Sequence, residues 1–126
     1  MLILDSGGIS LLAERTQRAA ARLIALRREG LWPPAVPSVV LVESLTGHAG
    51  RDAVVKRFLK TCLVVDSIPE PLARRAATLR TRAKRGSAVD ALLVAVAEGG
   101  GTILTQDARG LRALASHARR VTVRHP

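Results

Sequence analysis

Aromatic side chains are almost missing from this chain of 126 residues. It has no Tyr, one Phe (Phe58) and one Trp (Trp32), together 2%. A sheet that reads single-stranded RNA by stacking bases on exposed rings needs several such rings, so that class of binder is excluded. Cysteine is represented by Cys62 alone, which rules out an intrachain disulfide. Within CLVV it reads as a buried, inert thiol, in keeping with a reducing, cytoplasmic setting. No apolar run approaches the roughly 18 residues of a membrane span. The first residues, MLILDSGG, lack the basic segment and long apolar stretch of a signal peptide. Acids are also scarce: 10 Asp plus Glu stand against 20 Lys plus Arg, a formal net charge of +10.

What is present is an Ala-, Leu- and Val-rich chain, 48% apolar, of a length that fits a single domain over 1–126. The basic excess is mostly Arg, whose planar fork donates paired hydrogen bonds to phosphate, and it favours a nucleic-acid or acidic-protein partner. Short apolar runs alternate with helical patterns. LIL, Ala35-Val36, LVV, TIL and VTV read as strands. Asp5-Ser6-Gly7-Gly8 reads as a turn before a short helix over 9–14. Thr16 caps a helix ended by Gly30, Ser38 starts one over about 39–46, and Asp52 caps one over 53–59. A long helix over 70–84 carries Arg74, Arg75, Arg80, Arg82, Lys84 and Arg85, and Ser87 caps an apolar helix over 89–98. The alternation predicts an α/β domain of three layers, α/β/α, around a mostly parallel sheet of about five short strands. Sites in such sheets form at the carboxyl ends of the strands.

Four of the few acids interrupt or follow apolar runs: Asp5 in LILDSGG, Glu43 in VVLVES, Asp90 in SAVDALLVAVA and Asp107 in TILTQD. Each has a structural alternative. Asp5 can cap a turn, Asp90 fits a capping box with Ser87, and Asp107 can cap the next helix. Glu43 is surrounded in sequence by Val39, Val40, Leu41, Val42 and Leu45, with no Lys or Arg within four residues. Buried and unpaired it would cost several kcal/mol, so it calls for a metal or a distant Arg. Carboxylates brought to about 4 Å repel each other, and a divalent ion with oxygen ligands, Mg²⁺ or Mn²⁺, removes the conflict. Such an ion could activate a water against a phosphodiester held by the basic surface.

With these segments in this order, and VTVRH at the end, the whole chain resembles a PIN-domain ribonuclease, most closely the VapC-type toxins of toxin–antitoxin pairs. The resemblance implies that Asp5, Asp90 and Asp107 are metal-site aspartates and that Glu43 is the acid of the third helix. It gives Ser6 and Thr105 roles in positioning substrate or water. It also implies RNA as substrate, a cognate antitoxin whose C-terminal segment covers the acidic pocket, and a homodimer. Arg74, Arg75, Arg80, Arg82 and Arg85 are the candidate contacts to the RNA backbone. Gly7-Gly8 departs from the bulkier residues usual there and is expected to loosen the turn, while Gln106 receives no role. His48, His117 and His125 lack metal spacing and are read as surface residues. The competing reading is a catalytically inactive PIN-fold module that binds nucleic acid or antitoxin. Receiver-like and haloacid-dehalogenase-like phosphotransfer fail, because Asp5 lacks the second acid each requires and no Lys follows Leu104.

Overall fold

The computed structural model describes residues 1–126. Strand β1 (Leu2–Leu4) is fully buried along its length, which suits its place in the middle of the sheet. It leads directly into α1 (Ser6–Ala13), then α2 (Gln17–Arg28) and β2 (Ala35–Pro37). A single 3₁₀ turn over Ser38–Val40 runs into the one-turn helix α3 (Leu41–Ser44), followed by α4 (Ala49–Leu59) and β3 (Leu63–Val65). The second half is α5 (Glu70–Ala83), α6 (Ala88–Ala97), β4 (Thr102–Leu104), α7 (Arg109–Ala115) and β5 (Thr122–Arg124).

All five strands pair in parallel in the order β3-β2-β1-β4-β5. The chain therefore builds outward from β1 to β3 and then restarts on the other side of β1 with β4. That reversal between β1 and β4 leaves a crevice at their carboxyl ends, where open α/β sheets bind ligands. The helices pack in two sets: α1 touches α2, α3 and α4, while α5, α6 and α7 touch one another. The predicted three-layer α/β/α architecture is the observed one, with a sheet that is parallel throughout. No helix is long and apolar enough to cross a membrane.

Several local expectations are corrected. Residues 5–8 are not a turn, because α1 begins at Ser6 with Asp5 as its N-cap. A Cβ on Gly8 would stand 2.4 Å from the Leu104 carbonyl oxygen, and one on Gly7 3.0 Å from the Gln106 amide nitrogen. The two glycines thus let the start of α1 lie against the end of β4, and they tighten this junction rather than loosen it. Ser38 does not cap α3: Pro37 precedes the 3₁₀ turn and no side chain caps it. Asp52 does not cap α4, which starts at Ala49. It is 2% exposed and folds back onto the preceding loop, accepting from Thr46 N and Oγ1 and from Gly47 N at 2.9–3.1 Å. Those donors hold its carboxyl below the usual carboxylate range, the Thr46 amide most of all. Thr16 and Ser87 cap α2 and α6 as their positions suggest. Trp32 packs edge-on against Phe58, with Arg27 over its ring. Cys62 is half-buried rather than buried.

Candidate functional site

Asp5 follows β1 at the crevice. As N-cap of α1 it accepts a hydrogen bond from Gly8 N at 2.7 Å on Oδ1, while Oδ2 accepts from the Thr105 hydroxyl at 2.5 Å. Thr105 is the first residue past β4 and is fully buried. Its hydroxyl oxygen also accepts from the Asp107 amide at 3.0 Å, and its own amide donates to the Arg124 carbonyl at the end of β5. One side chain therefore joins the ends of β1 and β4, while its backbone reaches β5. A small β-branched alcohol suits this place: it packs like Val yet supplies both a donor and an acceptor.

The Asp5 carboxyl titrates above its ordinary value. Burial is the main cause, the negative charge of Asp90 adds to it, and the Thr105 and Gly8 hydrogen bonds oppose it. The influence of Asp90 places the two carboxylates within electrostatic reach, although they are 85 positions apart in sequence. Asp90 is half-buried in the first turn of α6. Its capping-box reading holds, since it closes a box with Ser87, and its charge is felt at Asp5. The box is lopsided: Ser87 Oγ accepts from Asp90 N at 3.0 Å, but Asp90 Oδ2 is 3.5 Å from Ser87 N, at the limit of a hydrogen bond. Gly110 of α7 lies alongside, where a Cβ would come within 3.2 Å of that oxygen.

Asp107 is exposed and does not cap α7, whose first helical residue is Arg109. Its Oδ1 sits 3.4 Å from Arg109 N. It joins the site through its backbone bond to Thr105, with its side chain on the outer wall. Glu43 overturns the expectation made for it. It is exposed on α3 beside Val42, which is 81% exposed, so the burial that called for a partner does not exist. The apolar neighbours in sequence divide: Val40 is buried in the core while Val42 and Glu43 face solvent. Ser6 is half-buried at the start of α1. No three side chains among His, Cys, Asp and Glu stand close enough to hold an ion jointly.

Three of the ten acids are tied up in ion pairs, and the four candidates are not among them. Glu70, Glu98 and Glu29 form ion pairs with Arg74, Arg75 and Arg124, whereas Asp5, Asp90, Asp107 and Glu43 form none. Of the Arg-rich α5, Arg74 pairs with Glu70 on the surface. Arg75 makes a two-point bond to Glu98 (2.7 and 3.0 Å) that lowers the glutamate's pKa, and Arg80 Nε donates to the Gly86 carbonyl at 3.3 Å. Glu98 also accepts from Arg119 N, so it is a structural tie between α5 and the loop before β5.

Sequence reasoning missed two polar residues here. Gln106 Nε2 donates to the Gly7 carbonyl at 2.9 Å, pinning the β4–α7 loop to α1. His125 Nε2 lies 2.8 Å from the Gln106 carbonyl, pinning that loop to the end of β5. The signal available was positional: in a parallel sheet TILTQD and VTVRH end at the same edge. Beside them opens a pocket of about 550 Å³ lined by Gln106, Asp107, Ala108, Arg109, Arg112 and His125.

No protein-family model and no curated protein matches the chain. Solved structures do match. FitAcB from Neisseria gonorrhoeae is similar at 23% identity and a TM-score of 0.65, over 98% of this chain and 96% of that one. FitAB bound to an IR36 DNA fragment is similar at 23% and 0.67, over 100% and 95%. PAE2754 from Pyrobaculum aerophilum is similar at 16% and 0.64, over 97% and 89%. At these identities the likeness is one of fold, and the fold is PIN-like over the full length of the chain.

Proposed function

We propose that this chain is a divalent-metal-dependent endoribonuclease acting as the toxin of a toxin–antitoxin pair, of the VapC kind. One observation carries the reading. Asp5, fixed at the junction of β1 and β4 by Gly8 N and the Thr105 hydroxyl, lies within electrostatic reach of Asp90, and no cationic side chain is paired to either in a chain with 20 Lys plus Arg. Like charges in a half-buried place are costly unless something positive joins them. The donors are hard carboxylate oxygens with a hydroxyl alongside, which fits Mg²⁺ or Mn²⁺ in chemistry.

Asp5 and Asp90 would hold the ion, with Asp107 next to Thr105 as a third acid of the site, while the exposed Glu43 on α3 would act only once substrate or metal is bound. When bound, such an ion makes a water acidic enough to attack phosphate and offsets charge on the phosphoryl oxygens. The chain's own residues prepare for this. Gly8 N fixes one oxygen of Asp5 and Thr105 the other, so the carboxylate is oriented before a ligand arrives. Ser6 follows Asp5 and can contact substrate or water. Arg80, Arg82 and Arg85 are exposed at the end of α5 and in the turn that leads to α6, and they supply contacts to the RNA backbone. Arg75 is already taken by Glu98, and Arg74 is held only by an exposed pair that RNA can displace. The fold likeness to FitAcB and FitAB supports an antitoxin partner, and a homodimer and a cytoplasmic setting are part of the same proposal.

The test is expression of the wild type and Asp90→Asn without antitoxin, with mapping of cellular RNA ends. Growth arrest with new ends at a defined motif in the wild type alone is expected. Equal toxicity from both versions would instead support a module that binds without cutting.

A further inference from the structure

The pocket beside Asp107 is not absorbed by the acidic site. Arg109 and Arg112, three apart on α7, present two exposed guanidinium groups to it, and neither is ion-paired. Its only acid is Asp107, so the charge of the pocket is net positive. The floor is fixed on three sides: Gln106 is tied to Gly7, His125 to Gln106, and the Thr105 hydroxyl to the Asp107 amide. Asp107 belongs to both places, since its amide joins the Asp5–Thr105 network and its side chain lines the pocket. A ligand spanning the two would meet carboxylates and then, one residue of wall away, a cationic fork.

We propose that this pocket holds a backbone phosphate of the polynucleotide next to the one at the acidic site, with Arg109 and Arg112 as its cationic contacts. The inference rests on the nuclease reading for its substrate class. Two planar forks on one helix face suit a tetrahedral anion, and fixing a neighbouring phosphate sets which bond of the strand lies over Asp5 and Asp90. A second polar pocket, lined by Arg75, Glu98, Gly99, Arg119 and Arg120, lies before β4 and β5, at the opposite edge of the sheet. Its Arg119 and Arg120 provide a control of matched charge.

The experiment measures binding of a short single-stranded oligoribonucleotide in EDTA, across a range of salt, so that no turnover is involved. Arg109→Gln/Arg112→Gln should weaken binding roughly tenfold. It should also reduce the slope of log affinity against log salt by about 0.7, the share of one phosphate on a single strand. Arg119→Gln/Arg120→Gln should stay within about twofold of the wild type, because long-range attraction is screened beyond roughly 8–10 Å. Arg112→Lys, which keeps charge and helix, should retain most of the slope. Equal losses from the two double variants, or no loss from Arg109→Gln/Arg112→Gln, would overturn the pocket. So would a mononucleotide competing as well as the oligomer, which would mark a free-phosphate site. Failure of the pocket leaves cleavage by the wild type untouched. Conversely, a wild type that binds through these arginines but never cuts refutes the nuclease reading and leaves the pocket standing.

Discussion

Thr105→Val removes one oxygen from the centre of the site and changes little else in shape. The residue is fully buried, and Val is close to Thr in volume, so the methyl that replaces the hydroxyl occupies its space. The loss is the bond to the Asp5 carboxylate, and a hydrogen bond to a charged group is worth about 1.5–3 kcal/mol. The Asp107 amide loses its acceptor as well, which adds to the loss at every pH. At neutral pH the variant should therefore be less stable by at least about 2 kcal/mol. The effect depends on pH. Thr105 opposes the upward shift of the Asp5 pKa, so it favours the charged form. Below the carboxylate range Asp5 is neutral in both folded and unfolded chains, and the same bond is then worth only about 0.5–1.5 kcal/mol. The wild type already loses some stability as pH rises from the ordinary carboxylate value through the raised value of folded Asp5, because the folded chain binds the proton more tightly there. Thr105→Val raises that pKa further and extends the loss to higher pH. Urea unfolding in EDTA, followed by circular dichroism from acid to neutral pH, reads both effects. A destabilisation that is the same at both ends of the range would refute the claim that this hydroxyl serves a charged Asp5.

Three other outcomes follow from the same geometry. Gly8→Ala sets a methyl against the Leu104 carbonyl oxygen and should cost about 1–3 kcal/mol in urea unfolding, because backbone cannot give way as a side chain can. Glu98→Gln removes the ion pair with Arg75. The wild type should be stabilised above the ordinary glutamate pKa and lose that increment as pH falls through the lowered folded value, and the variant should show no such dependence in thermal melts. Glu43→Gln should change stability by less than about 0.5 kcal/mol, as expected of an exposed residue away from caps and pairs, whatever it does to RNA cleavage.

The sheet was legible because each strand is a short apolar run followed by a polar stop, and because helical periodicity fills the gaps. Caps were legible where the capping residue also began a clear helical pattern, as with Thr16 and Ser87. Tertiary override produced the errors. Gly7 and Gly8 read as a turn because local propensity favours one, yet their role is close approach to β4, a contact with residues nearly a hundred positions away. Glu43 looked buried because its neighbours are apolar, but Val40 ends the 3₁₀ turn in the core while the one-turn helix α3 that follows buries none of its residues. Asp52 looked like a cap because caps are local, and its actual bonds run back to the preceding loop. The approach of Asp5 to Asp90 was legible only as a consequence of topology, since nothing in either segment alone announces the other. Gln106 and His125 were passed over for the same reason: their partners, Gly7 on α1 and the Gln106 carbonyl in the β4–α7 loop, are distant in sequence.

The central claim is that Asp5 and Asp90 share a divalent cation. Electron paramagnetic resonance of free Mn²⁺ during titration of the purified chain measures it directly, with thermal melts alongside. The account predicts saturable binding by the wild type. At a hundredfold excess over the dissociation constant this should stabilise the fold by about 2.7 kcal/mol, and EDTA should reverse it. Binding should weaken at least tenfold in Asp5→Asn and in Asp90→Asn, as loss of a charged oxygen ligand implies, and stay unchanged in the exposed Glu14→Gln. Mn²⁺ affinity that is indifferent to both aspartates, in variants that remain folded, would contradict it.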